Sequence, residues 1–233
     1  MQKIFLCAAI LLLFFGCKKK TDSVDLEENY FPLKIGGWIV YNVDSTVYDA
    51  FTLQSHTHHL QLKEIITQTF TDGQGDLAYR LERYERDNDT LQFVIKNVWS
   101  EKVVNAKAEK VEENQRFVKL IFPPQISQSW QGNVYIAPNL TSDYTKFLTD
   151  WSYAYQSIDV AAQIGKFALP KTATVLDDNE NIPGLQQTFF QEIYAQNIGL
   201  VYYHHKYVEK QPTDATWVSG FDVTAALNSY GGF

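Results

Sequence analysis

All five histidines of this 233-residue chain fall in two clusters, His56-His58-His59 and His204-His205. Neutral imidazole is a common transition-metal ligand, so the clusters are the first place to look for chemistry. Both segments read as extended chain, and successive side chains of a strand point to opposite faces. His58 and His59 must then diverge, as must His204 and His205. One ion could use at most His56, His58 and one of His204 or His205, and only if the two segments are neighbours. Failing that, these are solvated strand and loop histidines. Cysteine adds nothing to a metal site or a nucleophile in the body, because Cys7 and Cys17 are the only two and both lie in the first seventeen residues. Disulfide staples are excluded by the same count. The pairs Glu112-Glu113 and Asp177-Asp178 sit among polar residues and read as solvated turns. Catalytic carboxylates of glycosidase type come from distant positions and are not excluded. There is no G-x-S-x-G elbow, H-E-x-x-H helix, P-loop, G-x-G-x-x-G or EF-hand spacing, and no motif implies a cofactor.

The clearest single residue is Cys17. Lys3 is followed by an uninterrupted apolar run from Ile4 to Phe15, 12 residues long. That is too short for a spanning helix of roughly 20 residues. It suits the hydrophobic region of a secretory signal. The run ends in Phe14-Phe15-Gly16-Cys17, which resembles the lipobox of bacterial lipoproteins. Phe14 stands where that pattern usually has Leu. The resemblance implies cleavage before Cys17 and acylation of its thiol, so the expected partner is a lipid bilayer. Residues 1–16 are then the signal helix, and 17–29 a lipidated cysteine and polar tether. Lys18-Lys19-Lys20 would sit at the headgroups.

The body, 30–233, is expected to be a single β-rich domain. Residues 21–233 hold 16 basic and 27 acidic residues, a balance that excludes phosphate-driven nucleic-acid binding. Alternation of period two runs through 38–43, 77–84 and 91–99. The last two are joined across Asp87-Asn88-Asp89 as a hairpin. Further strands are expected near 58–70, 115–122, 129–136, 151–160, 187–196 and 199–209. Pro123-Pro124, Pro138, Pro170 and Pro183 should fall between strands. Only 141–149 offers a short helix. The expected fold is all-β: an antiparallel, strongly curved sheet, a half-barrel or a barrel- or sandwich-like meander, with at most one short helix. Charges on both faces of several runs argue against a lipid-facing barrel.

Two segments carry a family likeness. Tyr30-Phe31-Pro32-Leu33-Lys34-Ile35-Gly36-Gly37-Trp38, followed by Val40-Tyr41, resembles the opening of a family of uncharacterised Bacteroidota lipoproteins. Tyr194-Ala195-Gln196-Asn197-Ile198-Gly199-Leu200-Val201 resembles a segment near that family's end. The resemblance implies an all-β envelope domain and no activity. Asp22-Ser23-Val24, Asp44-Ser45-Thr46 and Asp89-Thr90-Leu91 resemble the O-glycosylation signal of the same phylum, with Ser23, Ser45 and Thr90 as acceptors.

The expected function is therefore a non-enzymatic binding or scaffolding domain, anchored at the outer membrane and facing the periplasm. Its ligand would be an envelope protein, a glycan or a lipid. A carrier or chaperone for lipid or lipoprotein needs an apolar concave face. A hydrolase needs polar groups converging in a cleft. The lining of any cavity decides between them.

Overall fold

The computed structural model describes residues 25–136 and 151–233. It is an antiparallel sheet of twelve strands. In chain order they are β1 (Trp38–Asp49), β2 (Gln54–Thr71), β3 (Leu77–Arg86), β4 (Val94–Val104), β5 (Lys107–Glu112) and β6 (Gln115–Ile121). They continue with β7 (Ser129–Gln131), β8 (Ser152–Ile164), β9 (Phe167–Ile182), β10 (Gln186–Ala195), β11 (Gly199–Glu209) and β12 (Ser219–Gly231). Neighbours in the sheet are neighbours in sequence, except that β1 pairs with β12. The order β6-β5-β4-β3-β2-β1-β12-β11-β10-β9-β8-β7 curls until its two edges meet. Val118 N–H of β6 donates to Gly132 O just beyond β7 at 2.7 Å, and Trp130 Nε1 donates to Val118 O at 2.8 Å. Gly132 makes this approach possible: a Cβ there would lie 2.3 Å from the Tyr153 ring. The result is a nearly closed barrel, in keeping with the period-two pattern. Among the described residues the only helical element is a 3-10 turn, Glu28–Tyr30. The short helix expected at 141–149 lies outside the described residues, as do the signal segment and Cys17.

Alternation decides which side chains enter the barrel. On β1, Tyr41 and Val43 are buried and Asn42 and Asp44 exposed. The outward positions of β1 and β2 carry Asn42, Asp44, His59 and Lys63 rather than an apolar band. One end is plugged. Residues 28–33 fold across it, with Tyr30 fully buried and its hydroxyl donating to Asp159 Oδ1 at 2.8 Å. The two family-like segments meet here. Asn197 N–H donates to Asn29 O at 2.7 Å, Phe31 lies 6.4 Å from the Tyr194 ring, and Pro32 packs on Gly199. Gly199, at φ 98°, turns the chain into β11 from a hairpin bend, as its position between two aromatic strands indicates.

Three strands carry no clear signature in the sequence. β5 (KAEKVE) has buried Lys110 and Glu112 at inward positions, so no apolar alternation exists to see. β12 (SGFDVTAALNSYG) mixes two glycines and two alanines with polar residues, which thins its apolar alternation. β9 contains Pro170, whose expected place is between strands. The pairing with β8 steps from Ala162↔Leu169 to Val160↔Thr172, so Pro170 sits in a register break where its missing N–H costs no ladder bond. The strand expected over 129–136 stops at Gln131.

Candidate functional site: a charged barrel interior

Beyond the plug the interior is charged. Among the described residues, five carboxyl groups point inward from separate strands: Glu64 (β2), Glu101 (β4), Glu112 (β5), Asp177 (β9) and Glu192 (β10). Three permanent cations meet them, Arg83 (β3), Lys110 (β5) and Lys119 (β6). Buried charges survive only when paired and hydrogen-bonded, so the pairing defines the site.

It divides into two groups. In the first, Arg83 Nε donates to Glu64 Oε1 at 2.8 Å and Lys110 Nζ to Glu64 Oε2 at 3.4 Å. Burial opposes the Glu64 charge, but Lys110 and Arg83 outweigh it and hold the carboxyl below its ordinary range. Lys110 also reaches Glu101 Oε1 at 3.4 Å. Burial dominates there and pushes Glu101 up to about 7. The Arg83 guanidinium lies 3.6 Å from the centroid of the Trp99 ring, a cation–π contact in a partly desolvated place.

In the second group, Lys119 Nζ donates to Glu192 Oε1 at 2.6 Å and lies 3.8 Å from Glu112 Oε1. Tyr194 donates its hydroxyl to Glu192 Oε2. Burial disfavours the Glu192 charge, yet Lys119 overrides it and the carboxyl stays ionised well below its usual range. Asp177 has no such ion pair among the described residues. Burial first, then the Glu192 charge, push its carboxyl far up. His205 Nε2 lies 3.5 Å from Glu192 Oε1, and burial lowers its pKa despite that carboxylate. Burial thus works against the charged form of both His205 and Asp177.

The two groups flank a cavity of about 390 Å³. Its wall includes Glu64, Arg83, Trp99, Lys110, Glu112, Glu192, Tyr203, His205, Phe190 and Phe221. The size falls in the range of small-molecule sites. A smaller space of about 50 Å³ lies against the plug, between Phe31, Tyr41, Tyr194 and Phe233.

The polar turns expected at Glu112 and Asp177 are not found. Asp177 is 1% exposed within β9 and Glu112 is buried at the end of β5. Asp178 and Glu113, charged neighbours in sequence, hide the alternation that puts one of each pair inside. The histidine clusters do not meet. Along the ladder His58 pairs with Ser45, Ser45 with Val223, and Val223 with His205, three strand steps or about 14 Å along the sheet. His56 is exposed, His58 faces Asp87 at 3.2 Å and His59 faces Asp44 at 2.5 Å. His204 points outward to Asp222 at 2.8 Å, and only His205 enters the interior. Thr90 is exposed in the β3–β4 connection, Ser45 is half-buried in the β1 ladder, and Ser23 lies outside the described residues.

No protein-family model matches the sequence, and no curated protein matches it. Among solved structures, a Bacteroides fragilis protein described as exported, with a YmcC-like fold, aligns over 87% of this chain and 98% of its own. The identity is 12% and the TM-score 0.44. A protein from Parabacteroides distasonis described as a lipoprotein aligns over 87% and 98%, at 10% identity and TM-score 0.37. A Vibrio parahaemolyticus domain described as belonging to an outer membrane lipoprotein-sorting protein aligns over 84% and 85%, at 11% identity and TM-score 0.19. None of these likenesses is close enough to transfer a role.

Proposed function

We propose that this chain is an outer-membrane lipoprotein, anchored through Cys17 and facing the periplasm, whose barrel binds a small molecule with both aromatic or apolar and polar parts. The observation that carries the binding role is the cavity of about 390 Å³, walled by Trp99, Tyr203 and Phe190 together with paired charges. Aromatic rings supply contact area at little entropic cost, and a few fixed polar groups orient a ligand. A carrier of acyl chains fits this wall less well. Seating a methylene chain against Glu64, Arg83 and Lys110 would bury ionised groups without offering them hydrogen bonds. The anchor rests on the apolar run ending at Gly16-Cys17.

The test uses the full chain in lipid nanodiscs, with N-phenylnaphthylamine as a neutral aromatic probe and a fluorescent fatty acid as a comparison. The expected result is saturable one-to-one fluorescence of the neutral probe beyond that of empty discs. Val223→Trp, which fills the cavity, should remove it while leaving the β circular dichroism intact. Saturable fatty-acid binding lost in the same variant would favour the carrier. Binding of neither probe above empty discs overturns the reading. For the anchor, Cys17→Ser should shift the chain out of the membrane fraction; a variant that stays there counts against acylation.

A further inference from the structure

We propose that Asp177, Glu192 and His205 form a divalent-metal site of zinc-type chemistry on the wall of the barrel. One ligand atom from each lies within 4.8 Å of the other two. The residues come from adjacent strands β9, β10 and β11, so the sheet itself holds them together. Glu192 pairs across the ladder with Tyr203, and His205 sits two residues further along on the same inward face. Asp177 arrives by a different route. The β9–β10 register runs from Phe190↔Asp178 to Gln191↔Leu176, which makes Asp177 the extra residue of a β-bulge. Bulges re-aim side chains, often beside functional sites.

A cluster of acids would not be enough, but the site has unmet needs. Asp177 is 1% exposed and its Oδ1 has no hydrogen-bond partner among the described residues. His205 Nε2 is also buried without a well-formed hydrogen bond, Glu192 Oε1 being 3.5 Å away. Leaving either atom desolvated and unpaired is costly in an interior as ordered as this. A cation placed between them satisfies both at once. It would also give Asp177 a cationic partner, since Lys119 pairs with Glu192 and Glu112 and no ion pair reaches Asp177 among the described residues. Glu112, 3.8 Å from the Lys119 ammonium, offers that lysine a second partner when Glu192 turns to a metal.

The donor set is one imidazole and two carboxylates, borderline to hard, which suits Zn²⁺ or another divalent first-row ion better than Cu⁺. Glu192 and His205 line the large cavity, so a remaining coordination position would open towards it.

Calorimetric titration of zinc into the full chain in nanodiscs, with any free cysteine thiol alkylated, tests the site. The expected result is one equivalent bound at micromolar concentration or tighter. Asp177→Asn and His205→Gln should each weaken binding at least tenfold, consistent with loss of a ligand. The double variant His58→Ala/His204→Ala, whose side chains lie elsewhere, should bind as the parent. Asp177→Asn replaces the carboxyl by a near-isosteric amide, so its circular dichroism should match the parent's. Absence of heat at micromolar zinc overturns the proposal. So does binding that survives both Asp177→Asn and His205→Gln, or binding lost in the His58/His204 variant. None of these outcomes depends on whether a small molecule enters the cavity.

Discussion

At one end of the barrel, Phe31 lies against Tyr194 and Pro32 against Gly199, leaving a space of only about 50 Å³. A few residues away, Glu64, Arg83, Lys110, Glu112 and Glu192 face a cavity of about 390 Å³. Both regions are buried in the same sheet, yet they are held by different forces. The plug is stabilised by apolar area, which is non-directional and indifferent to pH. The charged wall gains little net from its ion pairs, because desolvation offsets most of the Coulomb attraction. A wall that costs about as much as it returns is hard to explain as a core. It is easier to explain as a surface meant to meet something.

Single substitutions should separate the two regions sharply. Lys119→Met leaves Glu192 buried without its main cation, and should destabilise by about 3–5 kcal/mol at pH 7. Glu192 has its pKa depressed in the folded state, so its stabilisation is present above the unfolded value near 4.5 and is lost as pH falls. The deficit of the variant should therefore shrink in acid. Phe31→Ala removes a ring that is 7% exposed and should also cost about 3–5 kcal/mol. That loss should be equal at about pH 3.5 and at pH 7. Chemical denaturation at both pH values checks the pair. Equal pH responses in the two variants would erase the distinction between plug and wall.

The plug is more legible in the sequence than the wall, and the reason is physical. Sequence shows periodicity, and the plug and most strands are made of apolar alternation that periodicity reveals. Pro32, Gly36 and Trp38 also announce a turn into a first strand. The wall is written in inward Glu, Arg and Lys, which a period-two reading takes for solvent-facing positions. Such a reading passes over β5 for that reason, and it assigns Asp177 and Glu112 to turns. His205 is visible as a candidate ligand, but its partners are not. Glu192 lies on a neighbouring strand, and Asp177 enters only through a bulge that shifts the alternation by one. The histidine pattern offers the wrong partners, because His56 and His58 share the His205 face in parity without sharing its place in the barrel.

A second test asks how finely the wall is balanced. Glu101 has its pKa raised by burial to about 7, against an ordinary value of 4.5. Between those values the folded state holds more protons than the unfolded, so Glu101 makes stability fall as pH rises, by at most about 1.4 kcal/mol per unit. Glu64 and Glu192, with depressed values, make stability fall as pH drops below about 4.5. Maximum stability is expected at about pH 4.5. Glu101→Gln should lessen the decline towards neutral pH, gaining about 1–3 kcal/mol at the upper end, and leave the part that comes from Asp177, which burial also raises. A decline of unchanged steepness in the variant would place the responsible group elsewhere.

The smallest expected effect comes from the outer face. His59 and Asp44 are 2.5 Å apart, closer than most pairs inside, but their side chains are 74% and 66% exposed. Water screens that interaction and the chain loses side-chain freedom to make it, so exposed pairs typically contribute about 0–1 kcal/mol. Asp44→Ala should accordingly shift the denaturation midpoint barely or not at all. Whatever effect remains should shrink further at high salt. A loss as large as that of Lys119→Met would mean that contact distance, rather than burial, sets the worth of an ion pair in this barrel. The contrast between an exterior pair at 2.5 Å and the Lys119–Glu192 pair at 2.6 Å is thus a direct measure of what enclosure adds.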